Sequence, residues 1–290
     1  MRPERLRNGD VVALVAPAGP VQEGQAEDAA RILRGWGLRV RFGRYALGER
    51  GFLSGTDDER LADLNDALRD PEVRGVVCLR GGYGSQRIAE RVDFDAVRAD
   101  PKLFLGFSDI TALHAAFWCE TGLATVHGSV TADGVREVLM TGEPVVVHGL
   151  AGESGKVTGT LLGGNLTMLA TNAGTPHQLD LTNAILLLEE VGEAPYRIDR
   201  MLTQLQRSGA LDGVAGIALG QFLPHEPEEL RLGVPMLRGL EIGHGDRQVA
   251  VGLGVSACLD AEAGTLTVEP VCRTDRRNSA AAAPPSAAGR

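Results

Sequence analysis

Short apolar runs alternate with segments of helical spacing through the first half of this chain. Asp10 to Ala16 has the pattern of a buried strand, closed by Pro17-Ala18-Gly19-Pro20. Gln22 to Trp36 carries apolar residues at helical spacing and stops at Gly37, a C-cap glycine. Leu38 to Phe42 is a second short strand. Thr56-Asp57-Asp58-Glu59 is a capping-box signature opening a helix from Asp57 to Leu68, ahead of Pro71. Gly75 to Leu79 is a third strand and runs straight into Arg80-Gly81-Gly82-Tyr83-Gly84-Ser85. Leu103 to Leu105 is a fourth, followed by Gly106-Phe107-Ser108 and a helix from about Asp109 to Glu120, closed by Gly122. Leu123 to His127 is a fifth. Strands alternating with helices predict an α/β fold with a parallel sheet. The turns at Gly81-Gly82 and at Ser108 then share one sheet edge, where open α/β sheets bind ligands.

From about Thr131 to Gly155 the periodicity loosens. Beyond it lie Leu162-Gly163-Gly164-Asn165-Leu166 with a short helix to about Thr171, a strand Ala184 to Leu188 ending in Glu189-Glu190, and an amphipathic helix Pro195 to Arg207 followed by Gly209. Strand-like runs at Val214 to Leu219, Val249 to Leu253, Val255 to Leu259 and Leu266 to Val268 make this half mixed and strand-rich. The expected division is an N-terminal α/β domain over 1–135, a linker over 136–155, a smaller β-rich domain over 156–273 and a disordered tail over 274–290, which is poor in apolar bulk.

Composition narrows the function classes. At 290 residues, two domains are the better expectation. A net charge of −9 argues against a nucleic-acid or anionic-membrane partner. No apolar run is long enough to cross a bilayer, and Val11 to Ala16 is too short for a secretion signal. Cys78, Cys119, Cys258 and Cys272 are widely spaced. They suggest neither a zinc site nor a disulfide framework, and Cys78 and Cys119 read as reduced core residues of a cytosolic protein.

Four features carry candidate chemistry. Ser108 sits at a strand–helix turn, either as a helix N-cap or with its hydroxyl presented above the sheet. Arg80-Gly81-Gly82-Tyr83-Gly84 is an anion cradle, an oxyanion hole or a turn requiring positive φ. Glu189 and Glu190 end an apolar strand, either marking its exit to solvent or offering a carboxylate to orient an imidazole. Among six histidines, His244 stands between Gly243 and Gly245, which suits a mobile, exposed loop. The chain can therefore supply a full hydrolase inventory.

These motifs resemble the serine LD-carboxypeptidases, a family that includes muramoyltetrapeptide carboxypeptidase and the microcin C self-immunity peptidases. The resemblance rests on Gly106 to His114, Leu79 to Gly84, Gly163 to Leu166, Leu188 to Leu202 and the Gly-His of Gly239 to Gly245, and it runs from about Gly9 to Val268. It implies an N-terminal sheet domain like that of class I glutamine amidotransferases with a smaller β-rich C-terminal domain. It implies a triad of Ser108, Glu189 and His244, with Glu190 in reserve where the family usually has aspartate. It implies an oxyanion hole from the N–H groups of Gly82 and Asp109, and it makes Arg80, Gly81 and Tyr83 candidates for substrate contact. It implies no metal or cofactor, a cytoplasmic homodimer, and release of D-alanine from murein tetrapeptide. The rival substrate is a peptidyl- or aminoacyl-nucleotide conjugate. The rival class is a non-catalytic anion- or nucleotide-binding module. Departures from the family pattern are Ser129 after His127-Gly128, Gly252 before Leu253-Gly254, and a short stretch Pro224 to Leu232.

Overall fold

The computed structural model describes residues 1–151, 155–227, 230 and 232–273. The tail expected over 274–290 lies outside the described residues. In chain order the first elements are β1 (Val11–Val15), α1 (Gln25–Gly35), β2 (Arg39–Phe42), α2 (Asp57–Arg69), β3 (Val73–Cys78), α3 (Gln86–Ala89) and α4 (Phe94–Ala99). There follow β4 (Leu103–Gly106), a single 3₁₀ turn at Ser108–Ile110, α5 (Thr111–Thr121), β5 (Thr125–His127) and α6 (Val135–Met140). The second half contributes β6 (Val145–His148), β7 (Lys156–Asn165), α7 (Leu166–Asn172), β8 (Ala184–Val191), α8 (Pro195–Arg207) and β9 (Gly216–Leu223). It ends with β10 (Met236–Leu237), β11 (Val251–Leu253), β12 (Val255–Asp260) and β13 (Thr265–Val268). No described helix is long and apolar enough to cross a membrane.

Two sheets result. The first has the order β11-β5-β4-β3-β1-β2, parallel except for β11. The second has the order β10-β9-β8-β7-β12-β13-β6, parallel from β10 to β7 and antiparallel from there on. The second domain is thus itself half α/β. Its edge strand β6, together with α6, comes from the stretch expected as a linker. Val249 to Leu253, expected among the strands of the second domain, instead supplies β11 to the edge of the first sheet, with Val251 opposite His127.

Burial follows the period-two geometry of strands. Val11, Ala13 and Val15 face α2 to α5, while Val12 and Leu14 face α1 and α6. On β8, Leu186 and Leu188 pack on α7 and α8, while Ile185 and Leu187 join the cluster shared with the first sheet. One apolar core therefore runs across both domains and fixes the sheets against each other. The Thr56–Glu59 capping box forms in full, and Gly122 ends α5 at φ 65°. Cys119, expected in the core, is exposed because it lies on the outer face at the end of α5.

Candidate active site

The site is built at the carboxyl ends of β3, β4 and β8. β3 and β4 are neighbours in register, Val77 opposite Leu105, so the glycine loop and the Ser108 turn emerge side by side. Ser108 has φ 63°, a left-handed conformation that costs an L-residue about 1–2 kcal/mol. Neither the 3₁₀ turn nor α5 begins with a side-chain capping bond, so the capping role read for Ser108 is not realised. The tight turn also needs Gly106, where a Cβ would meet Ile110 Cγ2 at 2.6 Å. A strained serine between a strand and a helix is the geometry of a nucleophile elbow.

Gly81 lies directly against that elbow. A Cβ there would stand 2.8 Å from Ser108 Cβ, 3.0 Å from Ser108 Oγ and 3.2 Å from the Asp109 nitrogen. Gly82 has φ 103°, a conformation that L side chains rarely adopt. The loop is braced from below. Asp109, buried and with its carboxyl pKa raised by desolvation, accepts the Ser85 N–H at 2.8 Å, and its carbonyl accepts the Ser85 hydroxyl at 2.5 Å. The buried Arg60 donates to the carbonyls of Pro17 and Gly84, the latter at 2.9 Å. The elbow and the glycine loop are thus cross-linked through Ser85 and Asp109.

Glu189 is fully buried, and its Oε2 stands 2.7 Å from His244 Nδ1. Burial opposes protonation of the imidazole, but the hydrogen bond and charge of Glu189, with the charge of Glu190, outweigh it and raise the His244 pKa. Glu190 has a different job. It accepts from Asn165 Nδ2 at 3.1 Å, from the Val191 N–H at 2.8 Å, and from the N–H and hydroxyl of Thr167 at 2.8 and 2.7 Å. The reading of these carboxylates as a strand's exit to solvent fails because both faces of β8 are covered. Gly163-Gly164-Asn165 serves close packing. A Cβ on Gly164 would strike Thr111 Oγ1 at 2.6 Å, and Asn165 caps α7.

A cleft of about 680 Å³ joins these parts, lined by Arg80, Gly81, Gly82, Phe107, Ser108, Ser129, Thr131 and His244, among others. The Phe107 ring lies 4.9 Å from the His244 ring and helps to fix it. Arg80 lines the cleft while donating to the Pro20 carbonyl at 2.6 Å. Tyr83 does not line it and is 49% exposed, edge-on to Phe52 at 5.5 Å. His244 is not on an exposed, loosely held loop. Its side chain is 17% exposed, and Gln221 accepts the Gly245 N–H at 2.7 Å while donating to the Arg247 carbonyl at 3.0 Å. Behind the elbow, His114 bonds the Gly106 carbonyl at 2.9 Å, and His127 is fully buried. Burial lowers their pKa values to about 4 and about 3. Gln221, Arg60 and Ser85 went unmarked in the sequence, since polar residues that act by tethering loops leave no periodic signal.

An elbow serine with a glycine loop against it, and a histidine lining the same cleft with a buried carboxylate behind it, are the parts of an acyl-transferring hydrolase. Residues 12–128 match the LD-carboxypeptidase N-terminal domain and residues 158–259 the LD-carboxypeptidase C-terminal domain, and the chain belongs to this family. It is 44% identical to Putative carboxypeptidase SCO6489 of Streptomyces coelicolor, over 93% of this chain and 96% of that one. It is 34% identical to the murein tetrapeptide carboxypeptidase of Pseudomonas aeruginosa, over 86% and 92%. Among solved structures, an MccF-like protein from Bacillus anthracis superimposes with a TM-score of 0.83 at 25% identity, covering 93% of this chain and 99% of the other. The muramoyltetrapeptide carboxypeptidase of Oxalobacter formigenes does so with a TM-score of 0.75 at 30% identity, covering 89% and 97%.

Proposed function

We propose that this protein is a serine carboxypeptidase that releases the terminal D-alanine of murein tetrapeptide through an acyl-enzyme on Ser108. The observation that carries the reading is that His244, held 2.7 Å from the buried Glu189, lines the same cleft as an elbow serine at φ 63°. With Nδ1 committed to Glu189, His244 has Nε2 for proton exchange. It takes the Ser108 proton as Oγ attacks the carbonyl of the penultimate residue. The N–H groups of Gly82 and Asp109 stabilise the oxyanion, a donor in such a site being worth roughly 10²–10³ in rate. His244 then protonates the leaving amine, and water, activated by the same imidazole, cleaves the ester. The steps call for no metal or cofactor. Arg80 and Gly81 flank the substrate, whereas Tyr83, at the rim, is a candidate only for its distal parts. On this reading the enzyme works as a cytoplasmic homodimer on recycled murein peptide.

The names of the relatives favour murein peptide. The MccF-like fold similarity supports a second reading, hydrolysis of a peptidyl- or aminoacyl-nucleotide conjugate. Purified enzyme assayed on murein tetrapeptide and on an aminoacyl sulfamoyl adenosine separates the two. D-Alanine release with kcat/KM at least tenfold higher than conjugate cleavage is expected, and the reverse ranking refutes the murein assignment. Tight nucleotide binding without turnover of either substrate refutes catalysis and favours the binding-module reading.

A further inference from the structure

Two glutamine side chains hold the His244 loop, and the second, Gln248, spans the two domains. Gln248 donates through Nε2 to the Gly243 carbonyl at 2.5 Å, one residue before the histidine. Its Oε1 accepts the backbone N–H of Ser129 at 2.9 Å, and Ser129 lines the cleft from the end of β5. The Gln248 backbone is itself anchored, its carbonyl accepting the Asp133 N–H at 2.6 Å and the Ala250 N–H donating to the Asp133 carbonyl at 3.1 Å. The amide group is therefore a short rigid link between a fixed base and the residue preceding His244. Ser108 belongs to the first sheet, Glu189 to the second, and His244 must meet both.

We propose that Gln248 is a positioning residue for His244, and that it registers the histidine loop against the nucleophile's domain through the backbone N–H of Ser129. The proposal rests on the assignment of His244 as the base serving Ser108. Both hydrogen bonds are needed. The acceptor half ties the amide to the first domain, and the donor half ties it to the loop. Gln248 itself does not line the cleft, so the effect falls on the alignment of reacting groups, where a misplacement of about 1 Å can cost about 10²-fold.

The test uses the full chain, D-alanine release from murein tetrapeptide, and thermal unfolding alongside. Gln248→Ala should lower kcat about 10- to 100-fold with KM changed less than about threefold. Gln248→Met keeps the bulk of the side chain but neither hydrogen bond and should lower kcat similarly, and Gln248→Glu, which keeps the acceptor for the Ser129 N–H but loses the donor to the Gly243 carbonyl, should fall at least tenfold. A Gln248→Ala enzyme with wild-type kcat, a rise in KM alone, or a Gln248→Met enzyme at wild-type kcat overturns the proposal. If Gln248→Ala fails to fold, the bulkier Gln248→Met and Gln248→Glu variants decide, wild-type kcat in either refuting it. Failure of the underlying triad reading shows separately, as Ser108→Ala enzyme that still turns over.

Discussion

Gly81 offers the sharpest perturbation of the catalytic geometry, because replacing it with alanine adds one methyl group in a known place. Gly81 is not among the positive-φ glycines, so alanine brings no left-handed strain at that position. The added Cβ would lie 2.8 Å from Ser108 Cβ, against an ordinary carbon–carbon contact of about 3.5–4.0 Å. Relief requires a shift of roughly 1 Å, which alone can cost about 10²-fold in rate. The same methyl would stand 3.2 Å from the Asp109 nitrogen, in the space an oxyanion must enter to reach that donor. Loss of one such donor costs about 10²–10³-fold, so a fall in kcat of about three orders of magnitude is expected. Overpacking should cost stability by about 1–3 kcal/mol. The assay is kcat and KM for tetrapeptide hydrolysis with a thermal melt. Gly35→Ala is the control, since it ends α1 with nothing within 4 Å of the new Cβ, and it should leave activity unchanged. A Gly81→Ala enzyme within threefold of wild-type kcat would show that the reacting carbonyl does not lie between Gly81 and Asp109.

Three further outcomes follow from the same geometry. With His244 as the proposed base, its neutral form is the active one, and since its pKa is raised from 6.5 the rate should rise with pH through a value above 6.5. Glu189→Gln should move that limb to lower pH and reduce the plateau by about 10³–10⁴-fold, whereas an unmoved limb in the pH–rate profile contradicts the pairing. Arg60→Met leaves the buried carbonyls of Pro17 and Gly84 without their donor, and denaturant unfolding should show a loss of about 2–4 kcal/mol. His114 and His127 have folded pKa values of about 4 and about 3, below the ordinary 6.5, so the unfolded chain binds their protons first as pH falls. Each should then cost about 1 kcal/mol of stability between pH 7 and pH 5.5, and the denaturant midpoint of a His127→Asn variant should fall less steeply over that range than wild type.

Much of this organisation was legible in the chain. The strand–Gly-x-Ser–helix pattern located the elbow, and alternation of strands and helices placed the glycine loop beside it. Other parts were hidden for definable reasons. Glu189 and Glu190 are adjacent in a strand with an irregularity in its pairing between Leu188 and Glu190, so sequence alone could not say which one met His244. Val251-Gly252-Leu253 has the same apolar pattern whichever sheet it joins, because periodicity encodes a face and not a partner strand. The stretch after Thr131 looked like a linker because α6 and β6 are short. The tethering glutamines, and the buried guanidinium of Arg60, act through contacts between loops far apart in the chain. Flanking glycines suggested freedom at His244, but Gln221 and Gln248 restrain it.

In the proposed mechanism Ser108 is the nucleophile and His244 activates it. The most direct measurement is covalent trapping with a fluorophosphonate, followed by mass spectrometry of the digested protein. One adduct is expected, on Ser108, at a rate that falls at least 10²-fold in His244→Ala and with no adduct in Ser108→Ala. An adduct on another residue, or D-alanine release that survives Ser108→Ala, would contradict it.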